Sequence, residues 1–113
     1  MVDDDVRVGS ALVALLRSAG YVPEHATTVA RALDAARAHT PDLALIDLRL
    51  DGESGLDLVA PLRRLSPGAA VFVITAVAPD EAAREVAGHP IDRLLGKGMD
   101  PDDLLDLVAA ALG

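Results

Sequence analysis

Four groups of side chains in this 113-residue chain are of types that do chemistry together: Asp3-Asp4-Asp5 just after Val2, Asp47 closing the run LALID, Thr75-Ala76 closing VFVITA, and Lys97 between Gly96 and Gly98. Each falls at or just past the carboxyl end of a stretch that reads as a strand. An Asp in such a place is equally an ordinary helix or turn cap, a Thr is common in any strand, and a lone Lys is most often a solvated charge. Their combination points further. Several carboxylates in one pocket repel one another unless a cation or proton intervenes, and hard oxygens of this kind suit Mg2+ in octahedral geometry with some water retained.

The elements that must carry these groups follow from hydrophobic period. Val8, Leu12, Leu15, Leu16 and Ala19 share one face of a helix over Val6–Ala19, and Gly20 stands where a left-handed cap is wanted. A short extended piece is expected near Val22. Thr27 or Thr28 can then cap a helix to about His39, with Val29, Leu33 and Ala36 inward, before Thr40-Pro41 stops it. Leu43–Ile46 and Ala69–Ala76 are continuous apolar runs, which suit strands buried on both faces. Between them Asp51–Gly55 reads as a turn, and Leu56, Val59, Leu62 and Leu65 mark a third amphipathic helix. Pro79 with Asp80 and Glu81 opens a fourth helix to about Ala87, Leu94-Leu95 form a short strand, and Asp100 caps a last helix with Leu104, Leu105, Val108 and Leu112 inward. The alternation predicts an α/β fold with an open parallel sheet, whose chemistry belongs at the carboxyl ends of its strands.

Composition bounds the rest. Apolar residues make up 51% and charged residues 25%, a globular balance, and 21 Ala, 18 Leu and 12 Val against one Phe and one Tyr predict an aliphatic core. A net charge of −8 with no basic stripe disfavours direct contact with nucleic acid. The absence of Cys removes thiol catalysis and zinc-thiolate sites and fits a cytoplasmic protein. No leader and no membrane-spanning run is expected.

The order VDDD, LALID with Gly55 eight residues after its Asp, VFVITA, then LLGKG before an acidic cap and a final helix resembles the receiver domain of the two-component response regulator family, over essentially the whole chain. The resemblance implies a doubly wound parallel sheet in the flavodoxin-like order 2-1-3-4-5, helices on both faces, and a single receiver domain over 1–113 without an output domain. It implies that Asp47 accepts a phosphoryl group from a sensor histidine kinase, that Asp3, Asp4, Asp47 and the backbone carbonyl of Arg49 hold Mg2+, and that a downstream effector reads the result. Thr75 matches the switch hydroxyl, Ala76 the small residue beside the phosphoryl group and Lys97 the cation that contacts it. Asp5 is expected to cap the first helix, with a metal pair of Asp4 and Asp5 as the alternative register. A homodimer through the fourth helix and fifth strand is a further possibility of the family.

Several positions depart from the pattern. Gly98 replaces the Pro usual after the Lys, Leu94 stands where a switching aromatic is usual, and Asp51-Gly52 replaces a Pro beyond the acceptor. Only Met1 and Val2 precede the acidic pair where about four or five apolar residues are usual, so the first strand is expected to be truncated, stability marginal and the natural start upstream. Two other functions fit parts of the pattern. One is a degenerate receiver that binds partners without phosphorylation. The other is a phosphohydrolase of the haloacid dehalogenase type, which wants a second acid two residues after its nucleophile, where Arg49 stands.

Overall fold

Neither long apolar run has a polar face to offer water, and both are central strands. The computed structural model describes residues Met1–Gly113. In chain order the elements are α1 (Val6–Ser18), α2 (Val29–Ala38), β1 (Leu43–Asp47), the two-residue strands β2 (Arg49–Leu50) and β3 (Glu53–Ser54), and a 3-10 turn (Gly55–Leu58) running into α3 (Val59–Leu65). Then follow β4 (Ala70–Thr75), α4 (Pro79–Val86), β5 (Arg93–Gly96) and α5 (Pro101–Leu112). β1 pairs with β4 in parallel from Leu43 opposite Ala70 to Asp47 opposite Ile74, and β5 pairs with the other edge of β4, Thr75 opposite Gly96.

Val2 lies between Ala26 and Ile46, bridged in parallel to both. Val2 N donates to Leu45 O at 2.7 Å and Asp47 N donates to Val2 O at 2.8 Å; on the other side Asp3 N donates to Ala26 O at 3.1 Å and Ala26 N to Met1 O at 2.9 Å. Counted by appearance in the chain, the extended segments therefore run 2-1-3-4-5 across the sheet, with the first reduced to a bridge as expected. The second sits at Ala26 and not near Val22, which is 94% exposed. Backbone pairing placed it, and the apolar character of Val22 did not.

Alternation along the strands sends side chains to the two faces of the sheet, where they form three clusters, the smallest being Leu48, Val73 and Ala82. Ala44, Ile46 and Val71 pack with Ala32, Ala36, Leu58, Val59 and Leu62 beneath α2 and α3, whereas Leu45 and Phe72 pack with Leu16, Leu104 and Val108 beneath α1 and α5. The caps are side chains of the expected type: Asp5 accepts from the N–H groups of Arg7 and Val8, Thr28 from Arg31 and Asp100 from Asp102.

Three local expectations change. The 51–55 turn is the tip of an antiparallel hairpin, Arg49 opposite Ser54 and Leu50 opposite Glu53, with Gly52 at a φ of 73° that favours glycine. The third helix starts as a 3-10 turn whose Ser54 cap accepts from Leu56 N. Leu65 and Leu112, expected inward, are 39% and 38% exposed, because each ends its helix beyond the edge of the sheet-facing stripe.

Candidate functional site

β1 ends where the sheet ends, and its last residue, Asp47, is buried there at 4% exposure. The bridge at Val2 brings Asp3 alongside, fully buried, and Asp4 follows it into solvent. Ligating oxygens of Asp3, Asp4 and Asp47 all lie within 4.8 Å of one another. Asp5 is committed to capping α1, so the acids that converge on Asp47 are Asp3 and Asp4, not Asp4 and Asp5.

Asp47 Oδ1 accepts from Arg49 N at 3.1 Å and Oδ2 from Lys97 Nζ at 2.8 Å. Asp3 Oδ1 accepts from Asp5 N at 2.8 Å. Asp3 Oδ2 is buried with no aligned donor, although the Lys97 ammonium lies 3.2 Å away. Burial pushes the Asp47 carboxyl above its usual range; the Lys97 and Arg49 hydrogen bonds and the Lys97 charge pull it back, and the Asp3 charge adds to the rise. Burial acts on Lys97 in the opposite sense, but the hydrogen bond to Asp47 and the nearby charges of Asp47 and Asp3 outweigh it and hold its ammonium above the ordinary lysine value. Lys97 is therefore a cation at neutral pH.

β4 brings Thr75 to the same end. Its hydroxyl oxygen accepts from Val77 N at 3.0 Å, and its carbonyl accepts from Lys97 N at 2.8 Å, which fixes the lysine loop to the strand. Ala76 is exposed beside it, and Thr75, Ala76, Asp47, Arg49 and Lys97 line one open cleft. A roomier apolar hollow of about 600 Å³ lies at the other end of β1, among Met1, Tyr21, His39 and Leu43. The convergent carboxylates Asp3, Asp4 and Asp47 lie at the acidic cleft instead. No helix is long and apolar enough to cross a membrane.

All the site residues expected from sequence come together here; three supporting contacts were not expected. The ring nitrogen His25 Nε2 lies 2.8 Å from Asp3 O and must donate to it, since a carbonyl only accepts, and Gly9 leaves room for that ring. Glu53 Oε2 accepts from Val29 N at 3.1 Å, tying the hairpin to the start of α2. The Arg49 guanidinium bonds Glu81 Oε1 at 3.2 Å and also Glu85, tying the hairpin to α4. These partners are 22 to 36 residues apart in the chain, and no local pattern announces them.

The donor set suits a hard divalent cation such as Mg2+. Three carboxylates converge, and one buried oxygen, Asp3 Oδ2, lacks an aligned partner that such an ion would supply.

Comparison with known proteins gives matches over nearly the whole chain, in sequence and in fold. Residues 1–109 match the family model described as response regulator receiver domain. The photosynthetic apparatus regulatory protein RegA of Rhodovulum sulfidophilum is 37% identical over 99% of the chain, which spans 60% of that protein. The transcriptional regulatory protein BaeR of Escherichia coli is 33% identical over 93% of the chain, which spans 39% of it. Among solved structures, a response regulator from Burkholderia pseudomallei with a phosphorylated aspartic acid, calcium ion and citrate aligns with TM-score 0.86 and 31% identity, over 99% of this chain and 64% of that one. A CheY-like receiver domain from Methanospirillum hungatei aligns with TM-score 0.89 and 28% identity, over 98% and 89%.

Proposed function

The chain belongs to the response regulator receiver family, a signalling rather than a catalytic one, and from that premise we propose that Asp47 accepts a phosphoryl group from a sensor histidine kinase. The observation that carries the reading is the placement of a buried carboxylate at a strand end, bonded to Lys97 and within ligand reach of Asp3 and Asp4. An Asp47 oxygen attacks phosphorus, the bond from phosphorus to the kinase imidazole breaks with its electron pair on nitrogen, the ring takes up a proton, and an aspartyl phosphate remains. Mg2+ held by Asp3, Asp4, Asp47 and the Arg49 carbonyl would neutralise charge on the transferring group. Lys97, bonded to Asp47 Oδ2, adds a fixed cation beside the same group.

Thr75 then has a new partner. Its hydroxyl oxygen accepts from Val77 N, which leaves its proton free to donate to a phosphoryl oxygen, and Ala76 leaves room for the group. The movement passes to α4 and β5, the face offered to a downstream effector or to a second copy of the chain. Residues 1–113 act as one receiver unit, and cytoplasmic work follows from the kinase partner.

Incubation with Mg2+ and acetyl phosphate, followed by intact mass, tests the assignment. One phosphate adduct is expected, absent from Asp47→Asn. Adduct persisting in that variant would sink Asp47 as acceptor, and no adduct in the unaltered protein would leave an interaction module that works without phosphorylation.

A further inference from the structure

Arg49 is placed to do more than lend its backbone. It lines the cleft that contains Asp47, Thr75 and Lys97, and its N–H is already bonded to Asp47 Oδ1. Its guanidinium is turned to α4, where a single nitrogen, Nη2, serves both Glu81 and Glu85. A guanidinium offers five N–H donors in a planar fork, so these two contacts leave most of its capacity unused. The three side chains are 56%, 52% and 31% exposed, and ion pairs so open to water hold weakly.

The other cation lining the cleft, Lys97, already faces two carboxylates, Asp47 Oδ2 at 2.8 Å and Asp3 Oδ2 at 3.2 Å. An aspartyl phosphate would add further negative charge and three strong acceptor oxygens. Phosphoryl oxygens match a guanidinium fork better than a shared carboxylate contact does, because the fork binds them bidentately. We propose that Arg49 is a second phosphoryl-contacting cation, stored on Glu81 and Glu85 of α4 and drawn off them when the phosphoryl group forms on Asp47. The idea rests on the phosphoacceptor reading above and adds to it a direct release of α4 from the acceptor hairpin.

The two acids and the phosphoryl group then compete for one guanidinium, and a mutant cycle exposes the competition. Beryllofluoride with Mg2+, a phosphoryl mimic, is titrated by 19F NMR into the unaltered protein, Arg49→Ala, the double variant Glu81→Gln with Glu85→Gln, and the triple variant. Arg49→Ala is expected to bind about tenfold more weakly, the loss of one charge-assisted contact. The Glu pair variant is expected to bind several-fold more tightly, and that gain must vanish when Arg49 is already Ala. Equal affinity in Arg49→Ala, or the same gain from the Glu changes in both backgrounds, overturns the proposal, since a general charge effect would not need Arg49. Intact mass after acetyl phosphate is read on the same proteins. A normal adduct alongside a flat cycle overturns the Arg49 role alone, whereas no adduct on the unaltered protein overturns the phosphoacceptor reading and this inference with it.

Discussion

Gly55 backs directly onto Asp47: a Cβ added to Gly55 would overlap the Asp47 carbonyl oxygen and stand 2.7 Å from Ile46 Cγ2. The Gly55 N–H meanwhile donates to Leu48 O at 3.0 Å, which folds the hairpin back over the end of β1. The glycine is required by space, not by its dihedral angles, since its φ is not positive.

Gly55→Ala is therefore expected to destabilise the domain by about 1–3 kcal/mol or more, the range for overpacking a filled site. Chemical denaturation measures it. A change under about 0.5 kcal/mol, typical of surface substitutions, would contradict the contact.

Lys97→Ala removes the cation nearest to two buried carboxylates, Asp3 and Asp47, whose side chains are 0% and 6% exposed. The loss should fall below the roughly 3–5 kcal/mol of a fully buried broken pair, because the lysine is itself 26% exposed. The variant is also expected to bind Mg2+ more tightly than the unaltered protein, as the ammonium no longer shares the acidic oxygens. Calorimetric titration decides; weaker Mg2+ binding would count against a shared site.

Mg2+ should raise the thermal midpoint and a chelator should lower it. At a free concentration 100 times its Kd, binding to the native state alone adds about 2.7 kcal/mol. Asp3→Asn is expected to lose most of this shift, since its buried Oδ2 is the oxygen without an aligned donor. A full Mg2+ response in that variant would remove Asp3 from the ligand set.

At the far end of β4, Asp92 Oδ2 accepts from Val71 N at 2.7 Å and from Arg63 Nη2 at 2.9 Å, and Arg63 also bonds Pro90 O and Ala69 O. The Val71 hydrogen bond, with smaller help from Arg63 and against burial, holds the Asp92 carboxyl below its usual range. A carboxyl depressed in the folded state contributes stability that is present above its unfolded value, near 3.9, and lost as pH falls through the folded one. Unfolding followed from pH 6 down to pH 2 should show a smaller acid-side loss in Asp92→Asn. An identical slope in both proteins would show that this carboxyl does not contribute.

Much of this molecule was legible because its signals are local. Val71 to Thr75 could hardly be other than a covered strand, and Asp5, Thr28 and Asp100 cap the helices their positions suggest. That Asp3, Asp4, Asp47, Thr75 and Lys97 gather at one end of the sheet was legible for a related reason, as each ends or follows a strand and parallel strands end together. What escaped depends on partners far along the chain or on backbone alone. Two-residue strands carry no period, so the 49–54 hairpin read as a turn. Val22 looked like a strand residue, but Ala26 has the hydrogen bonds. Arg49 read as a carbonyl donor, and only the fold shows Glu81 and Glu85 across from its side chain.

Two isolated bridges at Val2, to Ala26 on one side and Ile46 on the other, hold the edge of the sheet. The edge segment at Ala26 joins the rest of the sheet through a seam one residue wide, stitched by the hydrogen bonds of Met1, Val2 and Asp3 to Ala26, Leu45 and Asp47. A sheet parts first along its thinnest seam, and segments with few bonds across them open at the lowest free energy. Asp3 stands on that seam and Asp47 on its far bank, so an ion gripped by both would act as a rivet. Occupancy of the site would then be felt as slower amide exchange at Ala26 and α2, a mechanical consequence of where the chain is narrowest.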